Sequence, residues 1–207
     1  ADAVTTFSRR AHVTPFAVFL AAFLVLLRLR SGTEDLVVGT PVASRRHSET
    51  RSVVGLFADM VVIRADLAGR PSFVELVRRM HATVTEAVEH QDVPFGRLVE
   101  ELDPGSGPHD LPFFDIVINY TGDRQRIPAR WGDLVVEVVD LDEGTSTYAL
   151  TLFVRDEGRL KLELVHRTAA LTTQAATAFL DDYRRLLRNA CADPQRSIDD
   201  LAPLTRE

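Results

Sequence analysis

At 207 residues the chain is long enough for one large domain or two small ones, and for a real core. Hydrophobic residues make up 45% and charged residues 26%, ordinary proportions for a soluble globular protein. The formal net charge of −6, with arginines spread through helical segments, argues against nucleic-acid binding, which needs a clustered basic surface.

Lys161 is the only lysine, which points to GC-rich coding. Cys191 is the only cysteine. It rules out an internal disulfide, fits a reducing cytoplasm, and reads as a small residue on an amphipathic helix, not a nucleophile. Residues 3–11 are weakly helical. Phe16 to Leu27 is an unbroken apolar run of 12 residues, well short of the ~20 a membrane span requires. Thr14 and Pro15 supply a helix start and Arg28, Arg30 and Gly32 a stop, so Pro15 to Arg30 is expected to be a buried core helix. No small-residue cleavage site follows it, so a signal peptide is not expected either.

Leu36 to Gly39 reads as a short buried strand and Ser44 to Ser52 as a polar loop. Met60 to Ile63, apolar at every position, reads as a second buried strand. Ser72 and Glu75 have capping-box spacing. After them Phe73, Leu76, Val77, Met80, Val84, Ala87 and Val88 form one apolar helical stripe. Pro94 opens a short helix containing Phe95, Leu98 and Val99, which Asp103-Pro104-Gly105 stops. Phe113 to Tyr120 is expected to be a strand, and 122–132 an irregular polar stretch. Strands at about 134–141, 147–155 and 159–166 follow, the last two joined at Asp156-Glu157-Gly158. A final helix, Thr172 to Asn189, faces Phe179, Leu180, Tyr183, Leu186 and Leu187 inward, and Asp193-Pro194 ends it. The fold class these elements imply is α/β, a mixed sheet flanked by helices.

Chemistry is sparse by residue pattern alone. There is no phosphate-cradling glycine loop, no convincing metal-ligand spacing and no Gly-x-Ser-x-Gly elbow. His12, His47, His81, His90, His109 and His166 are scattered; a Ser–His–Asp triad, being spatial, stays open. One segment stands out. His90-Gln91-Asp92-Val93-Pro94-Phe95 gathers polar and turn-forming residues between two helices. Asp92 could cap the helix Pro94 begins, and His90 could neutralise the preceding C-terminal carbonyls; a binding role is the alternative.

The same segment resembles the His-Gln-Asp-x-Pro-Phe motif of nonribosomal peptide synthetase condensation domains. Upstream, Thr14-Pro15-Phe16 and Val38-Gly39-Thr40-Pro41-Val42-Ala43-Ser44-Arg45 resemble two further landmarks of that family. Val54-Gly55-Leu56-Phe57-Ala58-Asp59-Met60-Val61-Val62-Ile63-Arg64 resembles its Gly-x-Phe-x-Asn-Thr-x-x-x-Arg strand. Leu111-Pro112-Phe113-Phe114-Asp115 and the closing Leu201-Ala202-Pro203-Leu204-Thr205 follow in the family's order. Three positions depart: Asp59 and Met60 replace Asn and Thr, and Thr147-Tyr148-Ala149-Leu150 lacks the acid of Lys-Phe-Asp-Leu. The Gly105–Asp110 stretch replaces the polar residues that usually precede the Pro-x-Phe step.

The resemblance implies a chloramphenicol acetyltransferase-like fold of two lobes around a cleft. Residues 1–207 would be the carboxy-terminal lobe, with a segment at about 122–150 crossing onto the other. The catalytic His-His-x-x-x-Asp-Gly string of the amino-terminal lobe does not occur here, so no catalytic residue and no metal ligand is expected in this chain. Gly39, Thr40, Pro41, Gly55, Phe57, Arg64, His90, Gln91, Asp92, Pro94 and Phe95 are the motif and cleft-lining residues the resemblance implies. No directly bound cofactor is expected; a partner peptidyl carrier protein would bring its phosphopantetheine arm. The other expected partner is the amino-terminal lobe, with self-association through an exposed crossing strand and with neither nucleic acid nor membrane as partner. A non-catalytic module that docks a carrier protein or another enzyme is the alternative. Epimerisation and heterocyclisation relatives, and an independent acetyltransferase relying on His90, rank below it.

Overall fold

The computed structural model describes residues 2–45, 48–102, 113–122, 130–137, 139, 144–156 and 160–201. In chain order the elements are α1 (Asp2–Ala11), α2 (Pro15–Ser31), β1 (Asp35–Ala43), β2 (Ala58–Asp66), α3 (Phe73–Glu89) and α4 (Phe95–Leu102). They continue with β3 (Ile116–Thr121), β4 (Arg130–Trp131), β5 (Leu134–Val135), β6 (Leu150–Asp156), β7 (Leu160–His166) and α5 (Thr173–Ala192). Five strands form one mixed sheet in the order β2-β1-β3-β6-β7, and among the described residues β4 pairs only with β5. The β1–β2 and β6–β7 pairs are antiparallel hairpin neighbours, while β1–β3 and β3–β6 are parallel; α3 and α4 lie on the way from β1 to β3, after β2, and β4 and β5 on the way from β3 to β6.

Local chemistry accounts for the helix ends. The Thr14 hydroxyl accepts from Ala17 N at 3.3 Å, Pro15 sits where a missing N–H costs nothing, and Gly32 closes α2 at φ 73°. Ser72 and Glu75 satisfy one another's backbone donors in a complete capping box. The α2 residues Ala17 to Leu27 are all buried, as a helix apolar all round must be. It lies between α3 and α5, with Phe19 against Tyr120 of β3 at 5.5 Å between ring centroids. At its far side the fully buried Tyr183 of α5 donates its hydroxyl to the Phe19 carbonyl at 3.0 Å. Asp182, beside it, is sealed in as well and meets Arg30 of α2 at 2.6 Å.

Strand alternation sorts the sheet into two faces. Leu36, Val38, Ile63, Ala65, Ile118, Leu152 and Val154 belong to the core under α2, α3 and α5. Their neighbours Val37, Gly39, Val62, Arg64, Asn119, Thr121, Phe153 and Arg155 point to the opposite face. Only α4 approaches that face among the described helices, at the β2 side. After α5, residues Pro194 to Ile198 hydrogen-bond to the turn before α3, and Asp199 pairs with Arg28 and Arg70.

Most expected elements are present, with four corrections. The first two strands are longer than their apolar centres, because hairpin pairing runs from Asp35↔Asp66 to Ala43↔Ala58 regardless of side-chain polarity. The polar Ser44–Ser52 loop contains a 3-10 turn at Ser48–Ser52. The strands expected from Phe113 and from 147 begin only at Ile116 and Leu150. Phe113 adopts φ +70°, a left-handed conformation no strand can include, and Asp115 holds the chain just before both. Of the strand expected at 134–141, Leu134–Val135 is a strand, exposed and outside the main sheet, while 136, 137 and 139 are not; 138, 140 and 141 lie outside the described residues. The Asp103-Pro104-Gly105 stop, the polar stretch over 123–129, the Glu157-Gly158 turn and the residues after Leu201 lie outside the described residues.

Candidate functional site

Four separate stretches of sequence meet on the sheet face that α2, α3 and α5 leave uncovered. Gly39 of β1 pairs with Val62 and Val117, central in the sheet. The Phe114 ring lies on it so closely that a Cβ at Gly39 would stand 2.2 Å from the ring. Phe95, the first residue of α4, packs on Phe114 at 5.6 Å and on Phe113 at 6.1 Å. Tyr148 stacks on Phe114 at 5.8 Å between ring centroids. The glycine is therefore a steric requirement: its missing side chain makes the bed for an aromatic ring that anchors α4 to the sheet.

Asp115 fixes the base of that cluster. One carboxylate oxygen accepts from Ala149 N at 2.8 Å and the other pairs with Arg167. Ala149 thus takes part through its backbone, although it lacks the acid the family pattern carries there. Its neighbour Leu150 starts β6, parallel to β3.

The His90–Phe95 segment is a tight linker between α3 and α4. His90 N–H donates to Glu86 and Val88 carbonyls and closes α3, while its imidazole stays exposed. The Val93 N–H donates to the His90 carbonyl at 3.2 Å. The Pro94 carbonyl accepts from Arg97 and Leu98, making Pro94 the entry to α4. Gln91 is half-buried; Asp92 and Pro94 are exposed.

Thr40 is buried in β1 on the core side, and Pro41 faces Met60 across the hairpin. Arg64 sits further along β2 in a two-pronged pair with Asp35, at 2.9 and 2.6 Å. Those hydrogen bonds hold the Asp35 carboxyl below the usual carboxylate range. Gly55 and Phe57 belong to a different arrangement, in the loop that joins β1 to β2. There the Arg45 guanidinium donates to the carbonyls of Thr50, Val53 (2.9 Å) and Gly55 (3.4 Å). It also stands 4.0 Å over the Phe57 ring, and Ser44 N donates to the Phe57 carbonyl at 2.7 Å. This clamp presents Val54 and Leu56 to solvent at 100% and 91% exposure.

Of the expected site residues, Gly39 and Phe95 come together around Phe114. Gly55 and Phe57 come together around Arg45, and Arg64 is separate. Sequence reading quoted Arg45, Phe114, Asp115 and Tyr148 within motifs but gave them no part to play. Their aromatic and charged character was visible; the partners described above stand 5 to 75 positions away in sequence. Among the described residues no group of three or more His, Cys, Asp or Glu could hold a metal ion. No single described helix is long and apolar enough to cross a membrane.

The model of the condensation domain family matches residues 1–207. Phosphinothricin tripeptide synthetase PhsB of Streptomyces viridochromogenes is 46% identical over 143 residues, which cover 68% of this chain and 12% of that protein. The structure of holo-AB3403, a four-domain nonribosomal peptide synthetase, superposes with a TM-score of 0.86 over 98% of this chain and 17% of that one, at 22% identity. The condensation domain of Monacolin K polyketide synthase MokA superposes with a TM-score of 0.81 over 95% of this chain and 45% of that one, at 24% identity. The chain thus spans a small part of the synthetases it matches. On the family match along its whole length, borne out by the likeness of fold, this chain belongs to the condensation domains of nonribosomal peptide synthetases.

Proposed function

We propose that the chain is the carboxy-terminal lobe of its condensation domain and forms one wall of the cleft where carrier-bound aminoacyl or peptidyl thioesters are joined. In that reaction the amine nitrogen of one substrate attacks the thioester carbonyl carbon of the other. The amide C–N bond forms, the C–S bond breaks, and the amine's proton ends on the departing phosphopantetheine thiol. A general base must reach the amine proton directly or through one water. No His-His-x-x-x-Asp-Gly string is present in this chain, so that group belongs to the amino-terminal lobe.

The observation that carries this reading is the one-sided sheet. Helices α2, α3 and α5 cover one face, and the motif residues around Gly39 and Phe114 gather on the other. The 45% share of the MokA condensation domain that this chain matches agrees with a lobe that needs a second half. The rigid Gly39–Phe114–Phe95 stack shapes the wall and sets the entry to α4. The segment at about 122–150 is assigned to the crossing onto the other lobe, its exposed Trp131, Leu134, Val135 and Val139 being residues a partner surface would cover.

The test supplies two aminoacyl-loaded carrier proteins to the purified chain, and in parallel to a polypeptide extended upstream through the His-His-x-x-x-Asp-Gly motif. Mass spectrometry of the carriers is expected to show a dipeptidyl thioester only with the extended protein. Dipeptide formed by the chain unaided would overturn the assignment.

A further inference from the structure

A groove of about 610 Å³ runs between α1, α3 and α5, on the far side of the helical layer from the motif residues. Its floor is apolar, with Phe7, Val74 and the half-buried Cys191, and three arginines, Arg10, Arg78 and Arg188, stand at its rim. A second depression of about 300 Å³ shares Ala3, Arg188 and Cys191 with it and continues along α5 to Leu160 and Leu162 of β7. Both depressions are open to solvent, and the first is lined by three helices, which suits a helix laid between helices better than an enclosed ligand.

The rim is basic although the chain carries a net charge of −6, and many of its arginines are matched to acids: Arg28, Arg30, Arg64, Arg70, Arg97, Arg155, Arg167, Arg184 and Arg185 all make ion pairs. Arg10, Arg78 and Arg188 are exposed and belong to no ion pair, and Asp2 is the one acid among the groove's lining residues. An apolar floor under an unmatched basic rim is complementary to a helix with one leucine-rich and one acidic face. From this we infer that the α1–α3–α5 groove docks an acidic amphipathic helix of a partner protein. The inference concerns the outer helical surface and is independent of the wall assigned to the cleft.

The probe is a fluorescein-labelled synthetic helix of about 18 residues with leucines at i, i+3, i+4 and i+7 and glutamates elsewhere. Its anisotropy is followed on titration with the protein, beside the same peptide carrying lysines for glutamates. The acidic peptide is expected to bind, weakening as salt is raised from ~50 to ~300 mM, and the lysine peptide not to bind. The triple variants R10Q/R78Q/R188Q and R10E/R78E/R188E, all at exposed positions and checked for native circular dichroism, are expected to weaken binding at least about fivefold and about thirtyfold. Inorganic phosphate at matched ionic strength is expected not to displace the peptide. No binding by the wild-type chain, equal binding of the two peptides, an unchanged charge-reversal variant, or displacement by phosphate would each overturn the proposal.

Discussion

Phe114 occupies the space that any side chain at position 39 would need: a Cβ built on Gly39 comes within 2.2 Å of its ring. The contact ties a strand in the centre of the sheet to a residue 75 positions later, and through Phe95 to the start of α4.

Gly39→Ala is therefore expected to destabilise the fold by about 1–3 kcal/mol, as overpacking does when backbone and a wedged ring cannot both stay. Phe114→Ala removes a nearly buried ring and is expected to cost about 3 kcal/mol. In the double variant the alanine methyl enters vacated space, so the combined loss falls below the sum by at least ~0.5 kcal/mol. Urea denaturation of the four proteins checks this; strict additivity would show that ring and glycine do not communicate.

Arg45 serves as the staple of the loop before β2. Replacing it with methionine keeps the stem but leaves the carbonyls of Thr50, Val53 and Gly55 without their shared donor and Phe57 without its cation. These acceptors are near solvent, so the expected global cost is only about 1 kcal/mol. Locally, amide exchange across residues 50–57 should accelerate at least about fivefold, and Arg45→Lys should not restore it, since an ammonium lacks the planar fork. Unchanged exchange would refute the staple.

Asp182 is 2% exposed at its side chain and pairs with Arg30 and Arg185. Asp182→Ala strands Arg30 against the core, but Arg30 is part-exposed and regains some water, which moderates the loss to about 2 kcal/mol. Asp182→Asn should fall in between. A thermal shift within error of wild type for both would remove the pair from the account of stability.

Burial pushes the Cys191 thiol up to about 11 and raises the Tyr183 phenol well above its ordinary value. Both groups stay protonated in the fold at pH values where the unfolded chain begins to lose those protons. Their contribution is complete below the unfolded-state values, ~8.5 for the thiol, and declines as pH rises toward the folded ones. Stability should accordingly fall between about pH 8.5 and 10.5, less steeply in Cys191→Ala. At pH 8 iodoacetamide should modify native Cys191 about a hundredfold more slowly than the unfolded chain, in keeping with its small thiolate fraction. Rapid alkylation of the native protein would contradict this.

The extent to which local patterns announced the structure varied along the chain. Helices α2 and α3 were legible because caps and periodicity are properties of neighbouring residues: Thr14-Pro15, Gly32, the Ser72–Glu75 box. The motif residues were legible too, yet their grouping was not. Nothing near Gly39 indicates that Phe114 will lie on it, and Arg45 gives no local sign of collecting Gly55 and Phe57.

The sequence by itself determined the helices, the apolar centres of the strands, the family, and the absence of a His-His-x-x-x-Asp-Gly string from these residues. The helices and strand centres follow from short-range sterics and hydrogen bonding; the family follows from motifs that resemble those of its members. Tertiary packing alone selected the sheet face that α2, α3 and α5 leave uncovered, the place of Leu134–Val135 outside the main sheet, and the side chains that converge on Phe114. Such outcomes depend on parallel crossovers and on packing between residues remote in sequence, where volume, not local propensity, selects the arrangement.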